Sequence, residues 1–334
     1  MLKDLIKKAL YQSGLLSLVH RRRNRHALTV VLFHRVFPPD DIRLLQADME
    51  WTVTDGFFRD CLVFFRKHYN PVNLQQLQDF LAGGAALPDY PLLVTFDDGW
   101  LDNLEYAMPI AQQNAVRPLL FVTTGAIGKS MLSWQEILYS SWRIRQLPRE
   151  RLDAIAGALQ QPVAAVVTEQ DIRQLIQAIQ KSSAEIREKV ARIIETFGLP
   201  HPVQMLDQIQ LNQLAGYFDL GTHGVRHEPL TRSADPLAEL RQARDALRDL
   251  TGQTLPSSMS FPHGRHDEAL LQQAREAGYT MIFTGIRCHT LLQQKQQAVF
   301  GRHNMNQMMY QNEQGRLRPE LLALYLFREP VREL

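Results

Sequence analysis

Apolar residues recur along this chain in two rhythms. Unbroken apolar runs over Leu28–Phe33, Leu92–Phe96, Leu119–Thr123, Phe218–Thr222, Met259–Pro262 and Met281–Thr284 read as buried strands. Between them lie stretches with apolar residues at helical spacing, over Phe57–His68, Leu74–Ala82 and Asp267–Ala277. Asp235-Pro236 opens a further helix, which carries the pattern from Leu237 to Leu250 and stops at Gly252. Strands alternating with helices predict an α/β fold built on a parallel sheet or barrel.

Two segments depart from that alternation. From about Met131 to Leu214 the chain is rich in Gln, Ala, Arg and Glu. It predicts helices over Arg149–Leu159, Glu169–Gln180 and Ala184–Phe197, with Gly198 and Pro202 breaking the pattern. At the start, Leu2, Leu5, Ile6, Ala9 and Leu10 fall at helical spacing among Lys3, Lys7 and Lys8, and Arg21, Arg22, Arg23 and Arg25 follow. The segment Met1–Val19 lacks the apolar core and cleavage site of a signal peptide and the ~20 apolar residues of a membrane span. Residues 1–27 therefore predict a basic amphipathic helix, which either lies on an anionic membrane face or docks on the rest of the fold. Residues 311–334 predict a tail that is helical from Arg316 to Leu334, with Leu321, Leu322, Tyr325 and Leu326 at usable spacing.

Chemistry gathers where the apolar runs end. Leu92-Leu93-Val94-Thr95-Phe96 delivers Asp97 and Asp98 side by side and stops at Gly99. In α/β barrels the ends of such strands carry the reacting groups. Adjacent carboxylates repel and resist burial, so the pair needs a cation or a proton beside it, unless it is only a polar turn. Gly221-Thr222-His223 ends another run, and His227 follows four residues later. That spacing lets two imidazoles reach one ion from a helical turn or a tight loop. Imidazoles plus a carboxylate, with a position left open, suit a catalytic zinc or another divalent metal. Ser260-Phe261-Pro262-His263-Gly264 is a third such end. Its Pro and Gly fix the backbone tightly, and either present an N–H to a substrate oxygen or simply turn the chain. Thr29-Val30-Val31-Leu32-Phe33 likewise sets His34 at the end of the first strand.

Composition narrows the class. With 334 residues, 45% of them hydrophobic, the chain is long enough for a full α/β barrel with additions. A net charge of +2 is too small to argue for nucleic acid. Cys61 and Cys288 stand far apart, which excludes a disulfide scaffold and fits a reducing compartment, so a cytoplasmic location is expected. No Gly-x-Ser-x-Gly elbow marks a serine nucleophile.

Taken in order, these motifs resemble those of one family. They are Leu32-Phe33-His34-Arg35-Val36, Thr95-Phe96-Asp97-Asp98-Gly99, Gly221-Thr222-His223 with His227, and Phe261-Pro262-His263-Gly264. The family is the polysaccharide deacetylases, also called the NodB-homology or carbohydrate esterase 4 group, and the first motif is similar to its exopolysaccharide-biosynthesis branch. The likeness runs from about Leu28 to Met305, interrupted by the long insert. It implies a distorted (β/α)7 TIM-like barrel over residues 28–310, with the helical insert at about 131–214. It also implies metal-dependent hydrolysis of the N-acetyl group of an amino sugar in an oligosaccharide, a polysaccharide or a glycan precursor, releasing acetate. By the same resemblance Asp97 would be the general base, and Asp98, His223 and His227 would hold the metal. Zn2+ is the first expectation, and Co2+, Ni2+, Mn2+ or Fe2+ suit the same donors.

The chain also departs from the family pattern. His263 stands where the family carries Tyr, so Pro262-His263 would help bind the oxyanion through the backbone N–H. The family's Arg in that third motif is missing, and Arg302 is a candidate partner for Asp97. The general acid would be His34, from the first strand as in the exopolysaccharide branch, or the late His303. The insert would cap the catalytic end of the barrel, with Trp134 either stacking on a sugar or packing beneath the cap. The partners implied are an N-acetylated glycan and, through the basic N-terminus, an anionic membrane. Two other activities suit the same motifs: a deformylase or other amide hydrolase on a lipid-linked sugar, and an inactive barrel that only binds glycan.

Overall fold

The computed structural model describes residues 2–162, 164–197, 204–293 and 298–334. The chain divides into two compact units: Met1–Pro39 with Met49–Gly128 and Met205–Leu334, and Asp40–Asp48 with Lys129–Gln204.

The first unit is built on parallel strands: β1 (Ala27–Phe33), β2 (Pro91–Asp98), β3 (Leu119–Val122), β4 (Asp219–Thr222), β5 (Ser258–Ser260), β6 (Met281–Phe283), β7 (Ala298–Phe300) and β8 (His303–Asn304). They stand side by side in the order β7-β6-β5-β4-β3-β2-β1. Every residue of β1 and β2 is buried, which is why both read as unbroken apolar runs. Ring closure is the work of one bent segment. β7 pairs with β6, Ala298 opposite Met281, and after the bend β8 pairs with the far edge of β1, His303 opposite Val31. The bend requires Gly301, because a Cβ there would lie 2.5 Å from Cys288 Sγ and 2.6 Å from the Ile286 carbonyl oxygen. The expected distorted seven-stranded (β/α) barrel is thus the fold of this unit, with β7 and β8 together as its last stave.

Helices cover the outside of the ring. Asp55–His68 starts on Thr54, whose Oγ1 accepts from the Phe57 N–H, and buries Phe57, Phe58, Phe64 and Phe65, each worth about 1.5–3 kcal/mol. Pro236–Thr251 is capped by Asp235 and ends on Gly252 at φ 65°, as the sequence predicts. Helix Gln208–Ala215, which falls at the end of the expected insert, packs Leu211 and Leu214 into the barrel's main core.

Three expectations change. The N-terminal segment forms two helices, α1 (Leu2–Gln12) and α2 (Leu15–Arg23), because Gly14 between them takes φ 78°. The tail is helical only over Pro319–Leu326; Pro330 cannot continue a helix, and Val331–Arg332 instead pairs parallel with His289–Leu291. The strand expected to reach Pro262 ends at Ser260, since Pro262–Gly264 turns as a single 3-10 turn.

The second unit is helical: Trp134–Arg143, Arg149–Leu159, Glu169–Lys181 and Ala184–Glu195 surround Leu138, Ile155, Ile172, Ile179, Val190 and Ile194. Trp134 packs, partly buried, against that core. The break expected at Gly198 and Pro202 lies outside the described residues.

Candidate active site

β2 stays buried to its last residue and delivers two acids at the C-terminal end of the ring. The turn that follows is sharp: Asp98 sits at φ 83° and Gly99 at φ 98°. A left-handed backbone is uncommon for a residue with a side chain, so the strain is held by what surrounds it. Asp97 meets a two-pronged clamp, with Arg302 Nη1 donating to Oδ1 at 2.7 Å and Nη2 to Oδ2 at 3.0 Å. Ser260 Oγ lies 3.4 Å from the same Oδ1. Both members of the ion pair are nearly fully buried. Burial pushes the Asp97 carboxyl up, but the Arg302 charge and its hydrogen bonds outweigh it and hold the group at about 2. Asp97 is therefore ionised at neutral pH.

Asp98 is different. Its Oδ2 accepts from Trp100 Nε1 at 2.9 Å, while its Oδ1 is buried with no hydrogen-bond partner. Burial, helped by the neighbouring Asp97 charge, raises this carboxyl to about 6. Trp100 is itself pinned, because the Arg35 guanidinium lies 4.0 Å over its ring and is held by Asp102 at 3.0 Å. Asp102 also accepts from the Val36 N–H at 2.8 Å.

His223 and His227 enter from the end of β4, on a tight loop rather than a helix. Gly221 allows this approach: a Cβ there would sit 2.5 Å from Ser258 Oγ and 2.8 Å from the Phe121 ring. His223 Nδ1 lies 2.6 Å from Ser260 Oγ and 3.0 Å from the Ser260 carbonyl oxygen, which turns Nε2 toward the acids. That Nε2 is 3.6 Å from Asp98 Oδ1, and His227 Nε2 is 3.3 Å from the same oxygen. Burial drives both imidazoles below their ordinary pKa, so both are neutral, the form that ligates metal. One atom each from Asp98, His223 and His227 lies within 4.8 Å of the others. An unpartnered buried carboxylate oxygen facing two neutral imidazole nitrogens fits a divalent cation in charge and in donor type.

The other predicted residues divide. His34, the residue after β1, is half-buried, with its Nδ1 buried and unpartnered. Burial lowers its pKa, while Asp98 and Asp97 raise it, so it stands in the field of the two acids. Pro262 is buried and His263 takes φ 58°. The His263 ring lies 4.6 Å from that of His227 and its Nε2 lies 3.1 Å from the His227 carbonyl oxygen, so this side chain braces the ligand loop. His303 is not brought to the acids. Neighbouring residues on an extended segment point to opposite faces, and Arg302 already points inward to Asp97. His303 therefore packs on His289 at 4.7 Å and edge-on to Tyr325 at 5.6 Å.

Sequence reasoning missed three contributors. Ser260 carried no role, although its position in the third motif could have suggested one. The support from Arg35, inside the first motif, and from Trp100 and Asp102, just after the second, becomes visible only when the two motifs meet. Trp51, with its ring 4.8 Å from His34 and 41% exposed, gave no signal at all.

Comparison with known proteins agrees with this geometry. No curated protein matches the chain. Among solved structures the chain is similar to the deacetylase PplD of Streptococcus pyogenes in complex with acetate, with a TM-score of 0.55 at 14% identity, covering 90% of this chain and 99% of that one. It is also similar to IcaB from Ammonifex degensii, with a TM-score of 0.55 at 17% identity, covering 91% of this chain and 97% of that one. At such identities these likenesses speak for the fold. The sequence model of the polysaccharide deacetylases matches residues 85–282, more than half of the 334, and takes in β2 through β5 with both acids and both loop histidines. The chain is a member of the polysaccharide deacetylase family, hydrolases of non-peptide carbon–nitrogen amide bonds.

Proposed function

We propose that this protein removes the N-acetyl group from an amino sugar of an exopolysaccharide-type glycan and releases acetate. The observation that carries the reading is the Asp98–His223–His227 cluster beside an Asp97 clamped by Arg302. The likeness to a deacetylase solved with acetate supports the product, and membership of the polysaccharide deacetylases supports a glycan substrate.

Asp98, His223 and His227 would hold a divalent metal, Zn2+ first. Such an ion lowers the pKa of a water from 15.7 to about 7 and polarises a carbonyl. Asp97 takes one proton from the attacking water as its oxygen bonds to the acetyl carbon. Arg302 keeps Asp97 ionised and aimed. His34 gives a proton to the amide nitrogen as the carbon–nitrogen bond breaks, since an unprotonated amide ion is a poor leaving group. Burial lowers the His34 pKa on balance, and the charges of Asp98 and Asp97 oppose that shift and favour the proton this step needs. The turn at Pro262-His263 would offer its backbone N–H to the oxyanion. The exposed Trp51 ring beside His34 would form an apolar floor for the sugar.

The test is elemental analysis of the wild type and of His223→Ala, together with acetate release from N-acetylglucosamine oligomers with and without chelator. The reading expects about one divalent ion per chain, lost in the variant together with release. Formate release from an N-formyl sugar without acetate release would move the activity to deformylation. Absence of metal in both proteins after zinc addition would overturn the hydrolytic reading.

A further inference from the structure

α2 buries Leu16 and His20, α1 rests half-exposed against the fold, and both helices leave large aliphatic side chains bare. The inward face makes polar contacts along α1 and is buried on α2. Asp4 receives Arg318 Nη2 at 2.9 Å, Tyr11 Oη and His68 Nε2 are 3.0 Å apart, and Leu16 and His20 are buried. α1 exposes Leu5 at 62% and Ile6 at 50%, and α2 exposes Leu15 at 50% and Leu18 at 58%. A helix that has already met its core has no folding reason for four bare aliphatic side chains, so their contact lies outside the molecule.

Charge says what that contact is. Residues 1–26 hold seven Lys or Arg and one acid, Asp4, which is tied to Arg318 and to Lys7. The whole chain carries only +2, so the remainder is net negative. Lys3, Lys8, Arg21 and Arg22 are exposed on the same two helices as the bare aliphatics. A second copy of the chain would set these cations against each other across a symmetric contact. Nucleic acid would leave the four aliphatics unused. No helix among the described residues is long and apolar enough to cross a membrane. We infer that α1 and α2 form a docking face that lies on an anionic lipid bilayer, with Leu5, Ile6, Leu15 and Leu18 entering the acyl boundary and Lys3, Lys8, Arg21 and Arg22 meeting the headgroups. The net negative remainder is repelled from the same surface, which orients the molecule with this face down.

Cosedimentation of the full chain with phosphatidylglycerol–phosphatidylcholine vesicles, against pure phosphatidylcholine vesicles, tests this without reference to the reaction. Binding at least about tenfold stronger on the anionic vesicles is expected. Replacing Leu5, Ile6, Leu15 and Leu18 together by Ser should weaken it about tenfold or more, with the circular dichroism spectrum unchanged because all four are exposed. Lys3→Gln with Lys8→Gln, Arg21→Gln and Arg22→Gln should have a comparable effect and remove the salt dependence. Equal binding to both vesicles, undiminished binding by the Ser variant, or a wild-type dimer that the Ser variant converts to monomer would each overturn the inference.

Discussion

The barrel holds two groups of buried histidines, and only one of them is built to do chemistry. In the first, His223 and His227 point their Nε2 atoms at Asp98, with His34 close by. In the second, His20, His289 and His303 pack with the half-buried His68 where α2 meets the C-terminal helix. There the nitrogens meet the backbone: His20 Nε2 is 3.0 Å from the His68 carbonyl oxygen, and His289 Nε2 is 2.7 Å from that of Leu326. Burial lowers every imidazole in this second group, and the nearby charges are cations such as Arg21, Lys67, Arg23 and Arg287. Burial lowers His223 and His227 as well, so the imidazoles facing Asp98 are as neutral as those of the second group. What separates them is the partner. A carboxylate with an unfilled oxygen makes a place for a cation, whereas a backbone carbonyl makes a strut.

Mutation can break this contrast. Asp98→Ala or His223→Ala should lower acetate release by at least about a thousandfold and remove the metal, since the charge-stabilising element is lost. His303→Ala should leave metal content and release nearly intact and lower the melting temperature instead. An equal loss of release in both would erase the distinction. Arg302→Met should be the most damaging single change to stability, by about 3–5 kcal/mol in urea unfolding, because it leaves Asp97 as a buried charge without a partner. A variant as stable as wild type would mean that the clamp contributes nothing to the fold.

Acidification sharpens the contrast further. The native pKa values of His20 and His289 are lowered to about 4, below the 6.5 of the free imidazole. Their contribution is complete above about pH 6.5 and is lost as pH falls toward 4, because only the unfolded chain binds the protons. Each contributes on the order of 1–3 kcal/mol. Melting curves from pH 7 to 4.5 should fall accordingly, and His289→Gln should flatten the decline. A flat wild-type curve would remove these histidines from the stability argument. The smallest effect is expected at the rim: Trp51→Ala should reduce kcat/KM on oligosaccharides about 2- to 10-fold, mostly through KM, with Trp51→Phe restoring most of it. No change would deny the indole a role in sugar contact.

Much of this was legible along the chain. Strand and helix positions followed from period and caps, since both signals are local; Arg149–Leu159 appears with the expected limits. The break at Gly14 was hidden because one left-handed residue leaves the amphipathic pattern around it undisturbed. The tail was overextended because Leu321 to Leu326 keep helical spacing up to a stop at Pro330.

By itself the sequence determined that Asp97, Asp98, His223 and His227 stand at the ends of buried strands. The length of an apolar run decides which residue emerges from it. Only the tertiary structure decided their company. Arg302 reaches Asp97 across 205 positions because β7 bends at Gly301 and β8 closes the ring on β1. The same closure turns His303 outward, and the fold sets Trp51 against His34. Such pairings are non-local, and side-chain alternation on a segment is read correctly only once its register against a distant strand is known.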